Sequence, residues 1–278
     1  MIRKLKMLGV LLAIIFFAVS SSASAAPNWN TNTITVTGTG VANPKMAVSA
    51  AHASMMARRA AVADAYRQLA EVINGVQVDA ETTVEQMILT SDVVKTRISA
   101  VIKGAQIVSE GELAGGGYSV TLELPMFGGT GGLADTVIER PQTVEPFPDY
   151  TPDYRPPVFY EPTQPTYSDG NYTGLIVDCR GLGWSNPVMS PVIKNSQGQK
   201  IYGHKNLDYD RIIREGMATY ARDMSEAFRA GSNPLIVRAI ALDDHSATPV
   251  LTMEDADFVL YENSVSHFLD NIAVVFMY

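Results

Sequence analysis

Cysteine is nearly absent from this 278-residue sequence, in which Cys179 is the single example. One cysteine excludes an intramolecular disulfide and a metal site built on several thiolates. No cysteine lies near the end of the apolar N-terminal run, so the sequence offers no acceptor for lipid attachment there. Disulfide frameworks and thiolate metal sites are therefore excluded as explanations of fold and function.

Common catalytic signatures are also missing. The sequence contains no Gly-x-x-x-x-Gly-Lys phosphate loop, no His-Glu-x-x-His zinc motif and no Gly-x-Ser-x-Gly nucleophile pattern. Gly181-Leu182-Gly183 lacks the third glycine of a dinucleotide loop, and Pro187 would disturb a helix there, so we interpret it as a turn. We predict a protein with no enzymatic activity, no catalytic residues, no cofactor and no metal.

Two isolated groups of reactive side chains have structural interpretations. A cation beside Cys179 would lower its thiol pKa, but both neighbours of a strand residue point away from it, which favours a buried thiol. Asp243-Asp244-His245 carries zinc-type ligands. Three adjacent residues rarely face one ion, which favours a solvated turn.

The N-terminus has the composition of a signal peptide, residues 1–26. Three basic residues lie among the first six, the apolar run Met7–Val19 follows, and Ala23-Ser24-Ala25 gives a cleavage pattern. The alternative is an uncleaved anchor, but the run is shorter than the roughly 20 residues of a spanning helix. We expect an exported chain, periplasmic or associated with the cell surface and soluble after cleavage, with no later transmembrane segment.

Positive charge is scarce after this leader. Removing its three positive charges changes the formal net charge from −8 to −11. Such an acidic chain would be repelled by phosphates, so we predict that nucleic acid is not a partner. Hydrophobic residues make up 46% of the sequence, which excludes global disorder.

Residues 27–127 are predicted to form an N-terminal α+β domain. The pattern predicts a strand over Thr33–Val41 and a long helix within Ala51–Val78 that stops at Asn74-Gly75, with Val76–Val78 as a short extended piece. A second helix over Thr83–Ile102 and strands over Ala105–Leu113 and Tyr118–Met126 follow. The first helix is expected to organise the domain. Its predicted buried face carries Met55, Val62, Tyr66, Leu69 and Ile73.

Charged residues on this helix are expected to have a structural role. Arg58, Arg59 and Asp64 would hold it to the sheet edge or to a neighbouring domain. Arg59 and Asp64 are five positions apart, which is a poor spacing for a direct ion pair.

Several short runs in this domain carry a family resemblance. They are Arg59-Ala60-Ala61, Asp64 to Ala70, Gly75-Val76, Thr82-Thr83-Val84, Gly104-Ala105 and Tyr118-Ser119-Val120. Together they resemble the N-terminal domain of flagellar assembly protein T and the related small bacterial surface-lipoprotein family, over roughly Ile34–Pro125. The resemblance implies an envelope protein that assembles with others, in the best-known members as a ring around the flagellar motor. It contains no active site, and this chain lacks the lipoprotein cysteine.

Residues 128–171 are predicted to be a Gly/Pro-rich linker. Eight of the 15 prolines fall between Pro141 and Pro165, interleaved with aromatic residues. Because proline fixes φ and blocks strand ladders, we expect an extended spacer, partly polyproline II. The alternative is a docking strip for a partner or for peptidoglycan.

Residues 172–278 are predicted to form a second α+β domain. Its expected elements are a strand at Leu175–Cys179, a hairpin of Val192–Lys194 and Lys200–Tyr202, a helix at Asp210–Ala230, a strand at Leu235–Leu242, a helix from the capping box of Thr252 and Asp255 to about Leu269, and a strand at Ile272–Tyr278.

The predicted fold class is therefore α+β: two small domains, each with helices on a mostly antiparallel sheet, joined by a Pro-rich linker. We predict an exported cell-envelope protein with an assembly or scaffolding role. Its expected partners are envelope proteins, with flagellar basal-body components and further copies of the chain as candidates. The alternative is a periplasmic ligand-binding protein or hydrolase using an interdomain cleft. Convergent polar groups in a pocket would favour the alternative, whereas scaffolding predicts shallow grooves.

Overall fold

The computed structural model describes residues 26–151, 172–184 and 187–278. Apart from Ala26, the predicted signal peptide lies outside the described residues, as does the linker portion 152–171. In chain order the elements are β1 (Pro27–Asn28), β2 (Thr33–Val41), α1 (Ala50–Asn74), α2 (Val84–Thr90), α3 (Asp92–Lys103), β3 (Gln106–Leu113), β4 (Gly117–Pro125), α4 (Leu133–Val137), β5 (Gly174–Asp178), β6 (Ile193–Asn195), β7 (Lys200–Tyr202), α5 (Tyr209–Glu215), β8 (Thr219–Ala221), β9 (Pro234–Arg238), β10 (Ala241–Asp243), β11 (Thr248–Leu251), α6 (Met253–Ser266) and β12 (Val274–Met277). The α+β class is confirmed.

The N-terminal domain is an antiparallel sheet with α1 packed on one face. The strand order is β1-β2-β4-β3. Two glycines of β2 let the helix backbone come close, since a Cβ on Gly38 would lie 2.2 Å from the Ala65 nitrogen and one on Gly40 would lie 2.4 Å from the Ala57 oxygen. The strand and helix are therefore fitted to each other by the absence of side chains.

The buried stripe of α1 differs from the predicted one. Leu69 and Ile73 are buried as expected, but Met55 is 59% exposed. Ala57, Ala61 and Ala65 take the buried positions instead. The physical reason is the close approach to the glycines of β2, which leaves room for methyl groups and none for a methionine. The helix begins after the cap Ser49 and ends at Gly75.

The predicted second helix is two helices. A capping box of Thr83 and Gln86 begins α2, and the Ser91 side chain accepts a hydrogen bond from the Val94 nitrogen to begin α3. Ser91 has an extended backbone and serves both as the end of α2 and as the start of α3. The β-branched residues after Ser91 fit the apolar spacing of one continuous helix and of two helices equally well. Periodicity alone therefore does not reveal the break.

The C-terminal domain contains two four-stranded sheets. In the order β8-β12-β5-β9 every neighbouring pair is parallel. In the order β10-β11-β6-β7 the central pair is parallel and the outer pairs are antiparallel. The expected mostly antiparallel pattern is therefore wrong for this domain. Strand direction depends on crossover connections that side-chain alternation does not report.

Two predicted elements of this domain are interrupted. The Asp210–Ala230 helix stops at Gly216, which has φ of +72°, and the chain continues as β8 and 3-10 turns. The predicted strand Leu235–Leu242 changes sheets midway. The Ala239 nitrogen donates to Asp178 O beside β5, whereas the next nitrogen, that of Ile240, donates to Val250 O on β11.

The first half of the predicted linker packs on the C-terminal domain. It contains α4, in which Leu133, Ala134 and Val137 are buried. The Gly129 nitrogen donates to the Ile213 oxygen of α5 at 2.9 Å. An extended spacer is therefore the wrong description of residues 128–151, because α4 is largely buried and the stretch is hydrogen-bonded to the domain that follows.

The rest of this stretch is held by backbone and side-chain contacts. The Glu145 nitrogen donates to Lys205 O at 2.8 Å. Phe147 stacks on Tyr202 with ring centroids 6.4 Å apart. The Asp257 carboxylate of α6 accepts from the Thr151 nitrogen at 3.0 Å and from its hydroxyl. The stretch is thus attached at several points along the domain surface.

Candidate functional site

The two domains meet along the segment that follows α1. The Met189 and Ser190 nitrogens donate to the Gln77 and Val78 oxygens at 3.0 and 2.7 Å, which links the two domains through their backbones. Trp29 packs edge-on against Tyr220, with ring centroids 5.5 Å apart. Met189 and Val78 belong to one continuous buried cluster, which therefore crosses the domain boundary.

A cleft of about 540 Å³ opens beside this junction. Four parts of the chain line it: the turn after Val78, the packed linker stretch around Glu145, the β6–β7 region of the C-terminal domain, and the turn between β10 and β11. The volume lies in the ordinary range of small-molecule sites. The expectation of shallow grooves alone is wrong at this place, because the linker stretch forms a third wall.

His204 and Ser190 lie together in the cleft. Ser190 Oγ and His204 Nδ1 are 3.3 Å apart. Burial is the main cause that lowers the pKa of His204, and Lys205 lowers it further. The imidazole is therefore neutral at neutral pH and acts as a hydrogen-bonding group. Among the described residues no carboxylate hydrogen-bonds to His204, as the third member of a hydrolytic triad would.

Charges of both signs line the same cleft. The Lys194 ammonium lies 2.8 Å from Asp243 and 2.7 Å from Asp244, and its side chain is only 13% exposed. The hydrogen bonds that Lys194 donates to Asp243 and then to Asp244 are the main causes that raise its pKa. Lys205 lies 3.9 Å from Glu145. The Lys194 charge is therefore compensated within the protein by two carboxylates.

Other charged groups of the cleft have no ion pair within the described ranges of the chain. These groups are Lys200, Asp79 and Glu81. Asp79 Oδ1 accepts from the Glu81 and Thr82 nitrogens at 2.9 and 2.8 Å. That arrangement holds the carboxylate in a tight turn and leaves its second oxygen for other contacts.

The reactive groups that the sequence pattern singled out lie away from this centre or support it. Cys179 is buried, as predicted; burial is the main cause that raises its pKa to about 12, and the nearby Asp178 charge adds to it. It does not line the cleft. Asp243-Asp244-His245 lies at the turn between β10 and β11, as predicted, and its two aspartates hold Lys194. Gly181 and Gly183 have positive φ, as expected for a turn.

Metal ligands are not grouped in the part of the chain that the structure describes. No set of three or more His, Cys, Asp and Glu side chains there is arranged around a common point. Asp243 and Asp244 both form ion pairs with Lys194, so these carboxylates have a partner within the protein.

The expected structural role of the α1 charges is confirmed for two of the three. The Arg58 guanidinium lies 2.8 Å from Glu110 on β3, at the sheet edge. Asp64 accepts from the Thr39 nitrogen of β2 at 3.0 Å, and a hydrogen bond from Arg67 is the main cause that lowers its pKa. These contacts hold the helix across the sheet.

The end of the N-terminal domain away from the C-terminal domain carries exposed apolar side chains. Val41 ends β2 and Leu113 ends β3, and both pair with Gly117 at the start of β4. The Ser54 hydroxyl of α1 donates to Glu112 at 2.6 Å, which brings the start of the helix to the same end. We call this surface the distal tip, and it comprises Val41, Met46, Val48, Met55 and Leu113.

Sequence reasoning did not find the cleft or the distal tip. The cleft combines positions near 80, 145 and 200, which are apolar-patterned or linker segments when each is considered alone. The Ser190–His204 pair spans 14 positions across two turns. The sequence did contain a signal for the distal tip, because the apolar residues Val41, Met46 and Val48 surround the dipeptide Asn43-Pro44, which is typical of a turn.

With this geometry the chain is a two-domain α+β protein. Residues 27–124 match the LPP20 lipoprotein family, and residues 174–278 match the second domain of Treponema pallidum Tp0624. No curated protein matches the chain. The first match supports the resemblance to small bacterial surface lipoproteins and indicates an exported, envelope-associated protein; it does not extend to flagellar assembly protein T.

Within residues 26–151, 172–184 and 187–278, no helix is both long enough and apolar enough to cross a bilayer.

Proposed function

We propose that this protein is a non-enzymatic assembly protein of the cell envelope that docks onto another envelope protein through its distal tip. The observation that carries the proposal is the position of the exposed apolar side chains. Four of the five distal-tip residues are more than half exposed. They lie at the free end of the N-terminal domain, while its other end is occupied by the C-terminal domain.

Burial of this surface would supply the docking energy. A fully buried Val, Leu or Met side chain contributes about 1.5–3 kcal/mol relative to its exposed state. Clustered apolar side chains on a soluble surface mark sites of association. Val41 and Leu113 both pair with Gly117, so the ends of β2 and β3 lie on either side of the start of β4 and can be contacted by one partner.

The non-enzymatic part of the proposal is supported by the condition of the reactive groups. The Cys179 thiol is buried and its pKa is raised to about 12 by burial, so it would remain protonated and unreactive at neutral pH. Ser190 is held at the domain junction by its own backbone nitrogen, which donates to Val78 O. Its hydroxyl is paired with Nδ1 of His204, without an orienting carboxylate among the described residues.

Substitution of the distal tip tests the docking surface. The variant Val48→Ser/Met55→Ser removes two exposed apolar groups, and we expect recovery of the cross-linked envelope partner to fall about fivefold or more. The matched control is Val265→Ser/Met224→Ser, which changes the same residue types at exposed positions of the C-terminal domain. Equal recovery from both variants would sink the docking assignment.

The narrower proposal is that the partner belongs to the flagellar basal body. Its support is the sequence resemblance of Ile34–Pro125 to flagellar assembly protein T. A pull-down from envelope extracts of strains with and without flagellar genes tests it. We expect flagellar components in the first strain and loss of motility on deletion. Normal motility, with no flagellar component recovered, rejects the flagellar partner and leaves docking to another envelope protein, or to a second copy of the chain, to the distal-tip variants.

A further inference from the structure

The interdomain cleft presents charges of both signs that remain unpaired within the described parts of the chain. The basic residues that line it include Lys200, and Lys205, which is only loosely associated with Glu145 at 3.9 Å. The acidic residues Asp79 and Glu81 line the same cleft. His204 is within electrostatic range of both groups, because Lys200 lowers its pKa and Asp79 raises it, after the larger effects of burial, Lys205 and Glu139.

The basic residues of the cleft are suited to a carboxylate. Lys200 and Lys205 supply ammonium groups that attract it, and the neutral His204 and the Ser190 hydroxyl supply hydrogen-bonding atoms beside them. Lys194 is excluded from this role because Asp243 and Asp244 already occupy its ammonium. Ser190 and His204 hold each other at 3.3 Å, so their orientation exists before a ligand arrives.

The acidic residues of the cleft are suited to an ammonium group. The Asp79 carboxylate is fixed by two backbone nitrogens on Oδ1, which directs a preorganised Oδ2 to other contacts. Glu81 extends from the same turn. An ammonium can donate three hydrogen bonds and needs such acceptors when it leaves water.

A ligand with a single charge fits less well. The cleft contains the acids Asp79, Glu81, Glu145 and Asp244 and the bases Lys194, Lys200 and Lys205. Their formal charges nearly balance, so an isolated anion or cation would meet like charges as well as opposite ones in the cleft. Two separated charges of opposite sign would each find a complementary group.

We infer that the cleft binds a small zwitterion, an amino acid or a short peptide with both ends unblocked, with its carboxylate at Lys200 and its ammonium at Asp79. Apolar contacts from Pro146, Pro148 and Val192 would receive the side chains between these ends. This inference is independent of docking through the distal tip, which lies at the far end of the N-terminal domain.

Calorimetric titration of the purified exported chain with trialanine tests the inference. N-acetyl-trialanine and trialanine amide serve as ligands that each lack one charge. We expect saturable binding of trialanine and about fivefold weaker binding of each blocked peptide, the magnitude of one partly exposed ion pair. Unchanged thermal unfolding of each variant shows that a loss of binding is not a loss of fold.

Two substitutions assign the ends of the ligand. Lys200→Gln should weaken trialanine about fivefold and leave trialanine amide unaffected, because that ligand has no carboxylate. Asp79→Asn keeps an acceptor for the turn, and it should weaken trialanine and leave N-acetyl-trialanine unaffected. Lys103→Gln, at an exposed position of α3, is the control with wild-type affinity. No saturable binding of trialanine, or equal binding of all three peptides, overturns the inference.

Discussion

Glu262 illustrates how one side chain can make stability depend on pH. It is 4% exposed on α6, and its Oε2 has no hydrogen-bond partner among the described residues. Burial raises the pKa of this carboxyl above its ordinary value of 4.5. The folded protein therefore binds the proton more readily than the unfolded chain does. This favours folding at low pH, and the advantage is lost as the pH rises from 4.5 through the folded-state pKa.

The substitution Glu262→Gln removes the titrating group and keeps the shape. We expect the free energy of unfolding at neutral pH to rise by on the order of 1 kcal/mol, because the uncompensated charge is gone. Stability should also become less dependent on pH above 4.5. Urea unfolding at several pH values measures both effects.

The matched control is Glu254→Gln, at an exposed position in the first turn of the same helix. It should leave the pH dependence nearly unchanged. A Glu262→Gln variant that is less stable than wild type at neutral pH would mean that the carboxylate has a favourable charge interaction.

At the scale of elements, the N-terminal domain depends on the fit between β2 and α1. Gly38 and Gly40 allow helix and strand backbones to approach, and the alanine stripe of the helix fills the remaining space. A sequence pattern reports that these residues are small. It does not report that the small residues of two distant segments face each other, which explains why a more apolar stripe was predicted.

Gly38→Ala tests this fit. The added methyl group would lie 2.2 Å from the Ala65 nitrogen and 2.4 Å from the Ala61 oxygen, so helix and strand must separate. We expect the free energy of unfolding to fall by about 3 kcal/mol, as in other overpacked cores. Urea unfolding followed by circular dichroism is the measurement.

Gly111→Ala is the control, because a methyl group on this β3 glycine meets nothing within 4 Å. It should be neutral or stabilise by about 0.5 kcal/mol, since alanine restricts the unfolded chain. If the two substitutions had the same cost, backbone entropy would explain the glycines better than close packing.

At the scale of the whole molecule, the domains are joined by backbone and aromatic contacts. Gln77 and Val78 pair with Met189 and Ser190, and one buried cluster includes residues of both domains. The packed residues 128–151 add contacts on another side. Separate docking units on a spacer are therefore a poor description, because separation would expose part of the shared core.

We expect the two domains to unfold in one cooperative transition. The sequence contains two tryptophans, Trp29 and Trp184, and both rings pack against Tyr220. Their fluorescence therefore reports the domain junction, whereas far-ultraviolet circular dichroism reports all helices and strands. The two urea transitions should coincide. A fluorescence midpoint clearly below the circular dichroism midpoint would show that the junction opens first.

The sequence by itself determined the α+β class, the division into two domains, the strand Thr33–Val41, the helix start at Thr83 and the helix cap at Thr252, because these depend on local patterns of hydrogen bonding and burial. The resemblance to surface lipoproteins was also readable there. Tertiary structure alone decided the parallel sheet, the break at Gly216, the packing of residues 128–151 and the cleft around His204. Each of these depends on contacts between segments far apart in the chain, and periodicity within a segment contains no information about which distant surface it meets.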